Sequence, residues 1–371
     1  MNILFKKNSI IFFFLFIVAA LKGQVFMLTD SIPTNISDIK YKFLPIQSDE
    51  NFNFLLYSAK NKKQNFELIT LKDTIITKME IKNHGLDGGG RWYRSSFLSE
   101  DKLLLLHVDG FVLIYRKNKK GKYILKETLT IKGRKFSVIS LLDADNVLLM
   151  NSYNAYNEKK LYDDFALLVF NLKTRKVVYN KEMDLGKGML LSHFSSTVPI
   201  ESKKDKIAVA HPTLPFIYIY NDKLEPIDTV SAQFTNIISI DSIINAVFTD
   251  SFLERNKTNP KEKIRIIEEK KIDNMERIEK VFWLNDDILG YTIRQPLLPR
   301  ERRFVFYSIS EKRELYNQID LSNPGNFSSS TRVLINNNKT IWTGGIYNED
   351  ESDIYYQFML YDILPFGNGT D

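Results

Sequence analysis

The chain has 371 residues, no cysteine, and 51 basic against 45 acidic side chains. Without cysteine there are no disulfides, thiol nucleophiles, cysteine-ligated metals or lipid-modified N-terminal cysteine. Lys6, Lys7 and Lys22 fall in the first 23 residues, where no acidic residue occurs. The rest carries 48 basic and 45 acidic groups, a mixed surface that argues against nucleic-acid binding.

Lys6 and Lys7 lead into an apolar run of twelve residues, 10–21, after which the chain turns polar. That order of charge, apolar core and small residues is a secretory signal. The run falls short of the about 20 residues a transmembrane helix needs. A signal peptide is therefore expected over 1–23, with the mature chain starting at Gln24. An uncleaved N-terminal anchor is the alternative, because Leu21 stands where a small residue is usual. No second apolar run follows, so the mature chain is expected to have no transmembrane segment. Its expected place is the periplasm or outside the cell.

Runs of β-branched and aromatic residues bounded by Asn, Asp, Lys and Gly then dominate, which favours strands. A Phe-led strand recurs, opening at Phe66, Phe111, Phe165, Phe216, Phe304 and Phe358, with spacings of 45, 54, 51, 88 and 54 residues. An apolar strand precedes each one, at 54–58, 103–108, 147–153, 207–212, 288–295 and 340–347. A further strand follows five of the six, at 75–82, 123–131, 177–185, 226–232 and 315–321. A strand before each unit is expected at about 39–46, 91–98, 134–142, 189–200, 277–284 and 327–335. The basic run 117–122 lies between two of these strands and reads as a solvated turn. A four-strand unit repeating every 40–50 residues or so is the signature of propeller blades. The expected fold is therefore an all-β, six-bladed β-propeller of four-stranded antiparallel blades spanning 24–371.

The spacing of 88 contains an insertion, about 233–276. Its best helical segment is 259–280, with Asn259 as a cap, Pro260 at the first position, and Ile264, Ile267, Ile272, Met275 and Ile278 near helical spacing. Its mixed charge suits a surface helix more than a membrane one. At the C-terminus only LPFGNGTD remains after Ile363, too little for a last strand. Residues 25–32, VFMLTDSI, are expected to serve as the missing outer strand of the last blade.

The signal-like start, the six repeats and runs such as KIAVAHPTLPFIYIYND resemble secreted bacterial six-bladed propellers of the TolB-like and NHL-like kind. The resemblance covers the mature chain through degenerate strand patterns. It implies fold and compartment more than activity.

Phosphate-loop, nucleophile-elbow, zinc-helix and EF-hand motifs are absent from the sequence. The triple glycine in NHGLDGGGRWYR reads as a turn, because no phosphate-binding helix follows it. Asp-Ser/Thr-apolar triplets such as Asp228-Thr229-Val230 resemble O-glycosylation sites, but they arise readily in strand-rich sequences. Connections from second to third strand, and from fourth strand to the next blade, emerge on one face of a propeller. His84, Arg91, Trp92, His107, Tyr153, His193, His211 and Arg294 all map to that face. Arg300, Arg302, Arg303 and the loop 151–164 map there too. These residues are the candidate ligand-binding site, a cationic and aromatic mouth for an anionic, glycan or peptide ligand. Ordinary rim residues would look the same. No metal or cofactor is expected, and the protein is expected to be a monomer. A non-enzymatic exported binding module is the favoured reading. A propeller hydrolase or lyase acting on a glycan or lactone is the alternative, and it would need a carboxylate or metal cluster in the channel. The expected first strands are poor in acidic residues.

Overall fold

A strand buried on both faces needs apolar side chains at successive positions, whereas one that faces water on one side alternates. The chain contains both kinds, and the structure sorts them by position. The computed structural model describes residues 26–37, 41–46, 52–58, 66–72, 75–82, 93–99, 101–107, 111–131, 136–151, 165–183, 199–203, 205–211, 214–235, 276–294, 302–319, 332–336, 339–347 and 354–363. Among them the fold is all-β, with six four-stranded antiparallel sheets and no helix.

The first strand, β1 (Phe26–Ser37), joins the last sheet. The first sheet is β2 (Tyr41–Ile46), β3 (Phe52–Ser58), β4 (Phe66–Lys72) and β5 (Ile75–Ile81), paired in that order. The second is β6 (Tyr93–Ser99), β7 (Lys102–His107), β8 (Phe111–Lys117) and β9 (Tyr123–Thr130). The third is β10 (Phe136–Leu141), β11 (Asn146–Asn151), β12 (Phe165–Asn171) and β13 (Lys176–Met183). The fourth is β14 (Ile200–Lys203), β15 (Lys206–Ala210), β16 (Phe216–Asn221) and β17 (Pro226–Ser231). The fifth is β18 (Arg277–Trp283), β19 (Ile288–Arg294), β20 (Arg302–Ser308) and β21 (Arg313–Ile319). The sixth is β22 (Arg332–Asn336), β23 (Lys339–Tyr347) and β24 (Ile354–Ile363), with β1 outermost. β1 runs antiparallel to β24, from Phe26 opposite Ile363 to Ser37 opposite Tyr355.

Among the described residues the first five sheets pack face to face in succession, and this explains the continuous apolar runs. Leu103 and Leu105 of β7 face the first sheet, packing with Phe66, Leu68 and Ile81. Leu104, between them, faces the third sheet, with Val147, Leu149 and Leu168. Leu148, Met150 and Leu167 pack with Ile207 and Val209 of the fourth sheet. Ala208, Ile217 and Ile219 pack with Ile278, Tyr291 and Val305 of the fifth. The outer strands are wetter: β13 leaves Val177, Val178 and Tyr179 exposed. The first strands of successive sheets also meet, β2 with β6, β6 with β10, β10 with β14, and β14 with β18. Between β10 and β14 the hydroxyl of buried Ser140 lies 2.6 Å from that of Ser202, which itself donates to Leu141 O.

The turns that join third to fourth strands are held by local polar side chains. Asn118 Oδ1 accepts the amides of Lys120 and Lys122, and Gly121 takes φ +74°. The basic run 117–122 is thus a hairpin turn. Asn221 Oδ1 does the same for Lys223 and Glu225. Asparagine suits this role because its short amide mimics a backbone acceptor.

Two sequence expectations are corrected. The helical segment expected over 259–280 fails at its end, where Arg277–Trp283 is strand β18, the strand also expected at 277–284. Ile278, Val281 and Trp283 are buried against the fourth sheet, and ladder pairing with β19 satisfies the backbone, so burial decides over helical spacing. Residues 236–275, the bulk of the insertion, lie outside the described residues. The strand expected at 189–200 is β14, Ile200–Lys203. It runs past the expected end, residues 189–198 lie outside the described residues, and the Pro199 carbonyl accepts the amide of Ala210 at 3.0 Å.

Candidate functional site

One end of the fifth sheet gathers charge. β18 begins there, β19 ends there and β20 begins there, so three strands bring Arg277, Arg294 and Arg302 into line. Arg277 is directly opposite Arg294, and Arg294 is directly opposite Arg302. Residues opposite one another in a ladder share a face of the sheet. Ile293 and Val305 pack toward the fourth sheet, so the arginine register lies on the other face. The Arg277 side chain is only 12% exposed and lies 3.9 Å from Glu279 Oε1. The Nε atoms of both Arg277 and Arg294 are buried.

A second cluster backs the first, on the side facing the fourth sheet. Glu276 is 1% exposed. Its carboxylate accepts the amide of Thr235 and, at 2.9 Å, the Thr235 hydroxyl. Arg303 lies 3.7 Å from the same carboxylate and donates to the Gln233 carbonyl. These contacts join residues 41 apart in sequence, across the whole insertion. Thr235 and Glu276 therefore clamp its two roots together.

Lys280, further along β18, is half-buried. Desolvation pushes its ammonium down to about 8, against the opposite pull of Glu201 on β14. The side chains of Glu201, Glu279 and Lys280 thus place both signs of charge on the first strands of adjacent sheets. Burial and the neighbouring Glu314 push the Tyr291 hydroxyl well above its usual range, and that hydroxyl donates to Glu314 Oε1 at 3.3 Å.

The residues expected at a binding mouth fall into two groups. His107, His211 and Arg294 stand at or just past the end of the second strand in the second, fourth and fifth sheets. His211 is 4% exposed and turned into its own loop: its Nδ1 accepts the Leu214 amide at 2.9 Å. Its ring lies edge-on to Tyr218 at 6.5 Å. Arg294 belongs to the arginine register. His84, Arg91, Trp92, Tyr153 and His193 lie outside the described residues; His193 precedes β14 rather than sitting on it. Arg277, Glu276, Lys280 and Glu201 were missed from the sequence. The doublet Arg302-Arg303 was the available signal, whereas Arg277 falls where the expected helix over 259–280 overlaps the strand expected at 277–284, and Glu276 stands just before it. Among the described residues, no group of three or more His, Cys, Asp or Glu could hold a metal. No described helix is long and apolar enough to cross a membrane.

No protein-family model and no curated protein matches the chain. Solved structures do resemble it. One is a member of the DUF4221 family from Bacteroides vulgatus, with TM-score 0.56 and 9% identity, covering 91% of this chain and 97% of the other. Another is a Bacteroides fragilis protein whose name assigns it to the exported proteins, with TM-score 0.51 and 13% identity, covering 89% and 97%. At such identities the likeness is one of fold.

Proposed function

We propose that the chain is an exported six-bladed β-propeller that acts as a binding module. The six four-stranded sheets are its blades, β1 completes the last of them, and residues 1–23 are removed on export. The TolB-like and NHL-like resemblance belongs to the same proposal, as does the likeness to an exported Bacteroides protein. The ligand sits on the face formed by second-to-third-strand connections. The observation that carries this reading is the alignment of Arg277, Arg294 and Arg302 across three strands at that end of the fifth sheet. Arginines gathered where a connection leaves the sheet offer planar forks to a ligand's oxygen atoms. A propeller hydrolase or lyase is the second reading. It draws on Lys280, whose depressed basicity beside Glu201 suits proton transfer near neutral pH.

The test is equilibrium binding of exported protein to arrayed acidic and neutral glycans and peptides, with mass spectrometry of the recovered ligand. Capture of one class in unaltered form is expected. Recovery of a cleaved ligand would transfer the function to the enzyme reading. A protein that captures nothing would refute both.

A further inference from the structure

We infer that β13, the outermost strand of the third sheet, is an edge at which the chain associates with a second copy of itself, the two strands meeting antiparallel about Tyr179. This goes beyond the binding-module reading and is independent of it, because β13 carries none of the residues of the proposed ligand face. It departs from the monomer expected on sequence grounds. β13 pairs with β12 along one edge and ends its sheet. Among the described residues, three of the five exposed large hydrophobic side chains stand together on it: Val177 at 43%, Val178 at 48% and Tyr179 at 37%. The outer strands of the sheets on either side, β9 and β17, each expose one, Ile124 and Ile227. A sheet edge that shows a contiguous apolar run to water is a template for association.

Charge identifies the occupant. β13 carries Lys176 at one end and Glu182 at the other, both exposed. A second copy laid antiparallel, with Tyr179 against its own counterpart, places Lys176 of each copy opposite Glu182 of the other, twice over by symmetry. The same register sets Val178 against Asn180, and Val177 against Lys181, whose aliphatic stem can cover the valine. Side chains directly opposite are about 5 Å apart, close enough for both ion pairs and for the two tyrosine rings to stack. Neighbouring registers lose this match. Centred on Val178, Arg175 meets Lys181 and Lys176 meets Asn180; centred on Asn180, Glu182 meets Val178 and Lys181 meets Tyr179. Arg175 is in any case engaged within its own chain, donating to Glu127 of β9 at 2.5 Å. The strand also bulges: its register shifts between Val169 and Phe170 of β12, which leaves Val178 without an opposite residue. A bulge weakens a backbone ladder at an edge, so side chains carry the contact. Association is therefore weak, with a dissociation constant on the order of 100 µM.

The experiment is sedimentation equilibrium of the purified full chain, as processed by the expression host, from about 10 to 500 µM. A monomer–dimer equilibrium is expected. Lys176→Glu and Glu182→Lys should each raise the dissociation constant about ten-fold, because like charges then face each other. Lys176→Glu combined with Glu182→Lys rebuilds both pairs and should recover the original association. Because the chain has no cysteine, Tyr179→Cys supplies a second readout. Two-fold pairing brings the introduced thiol against its own counterpart, so mild oxidation should yield a disulfide-linked dimer. Ile227→Cys, at a more exposed site on β17, should yield little. A protein that stays monomeric through this range, a dimer indifferent to either charge reversal, or a double exchange that fails to recover association would overturn the inference. Trapping by Ile227→Cys as strong as by Tyr179→Cys would overturn it too. All four substituted side chains are exposed, so the fold should survive; should Tyr179→Cys not fold, the charge exchange alone decides. Ligand capture enters neither readout, so failure here leaves the binding-module reading standing.

Discussion

Replacing Gly290 by alanine puts a methyl group into space already filled by the Phe282 ring. Gly290 lies directly opposite Phe282 in the β18–β19 ladder, and a Cβ there would sit 2.0, 2.2 and 2.8 Å from three ring carbons. The ring cannot swing away freely. Phe282 is 4% exposed and its ring meets Phe306 edge-on at 5.8 Å, with Tyr316 beyond at 5.9 Å. Forcing an extra methyl into such a core costs about 1–3 kcal/mol, and more when an aromatic ring must move. Unfolding entropy scales with length, and for a chain of this size each kcal/mol is worth only about 1–2 °C. A shift of about 2–5 °C in melting temperature is thus expected, with a lower denaturant midpoint. The stronger check is a double-mutant cycle. Phe282→Leu alone should destabilise by opening a cavity, but combined with Gly290→Ala it should cost clearly less than the sum, because the smaller side chain makes room for the methyl. A Gly290→Ala protein that melts within 1 °C or so of the original, or strict additivity in the cycle, would refute the reasoning.

Glu276→Ala should destabilise by about 3–5 kcal/mol in chemical denaturation, because it strands Arg303 and the Thr235 donors, and it should speed proteolysis within the insertion. Unchanged stability and cleavage would show that the clamp holds nothing. Lys280 has its pKa depressed in the folded state, so the unfolded chain binds more protons and stability should rise with pH from about 8 toward 10.5, until tyrosine ionisation near 10 intervenes. Lys280→Met should flatten that rise and stabilise the protein at pH 7; an unchanged slope in denaturant titrations would count against the shift. Deleting residues 24–34 removes most of the strand paired with β24 and should lower the melting temperature by many degrees, whereas deleting 366–371 should do little. If the N-terminal deletion melts like the full chain, the β1–β24 pairing contributes no stability.

The strand order of each sheet was legible because burial on both faces imposes a local code. Strands such as KLLLLH and FVLIYRK are apolar at successive positions, and polar turns with Asn or Gly separate them. Those signals lie within a few residues of one another, so a linear reading finds them. The end of the insertion carries two patterns at once, because Ile272, Met275 and Ile278 fit a helical period while 277–284 also reads as a strand. Burial of Ile278 between two sheets decides for the strand. The arginine register was invisible for a related reason. Arg277, Arg294 and Arg302 are separated by turns and loops of unequal length, and a register shift between Ile278 and Lys280 changes which residues of β18 share a face. Pairing register is set by how whole sheets pack, and a slip of one residue would move Arg277 to the opposite side. The same holds for Glu276, a charged residue in a charged segment whose burial depends on Thr235 and Arg303 arriving from two other strand ends. Local pattern thus determined which residues become strands, while packing between sheets decided which charges meet.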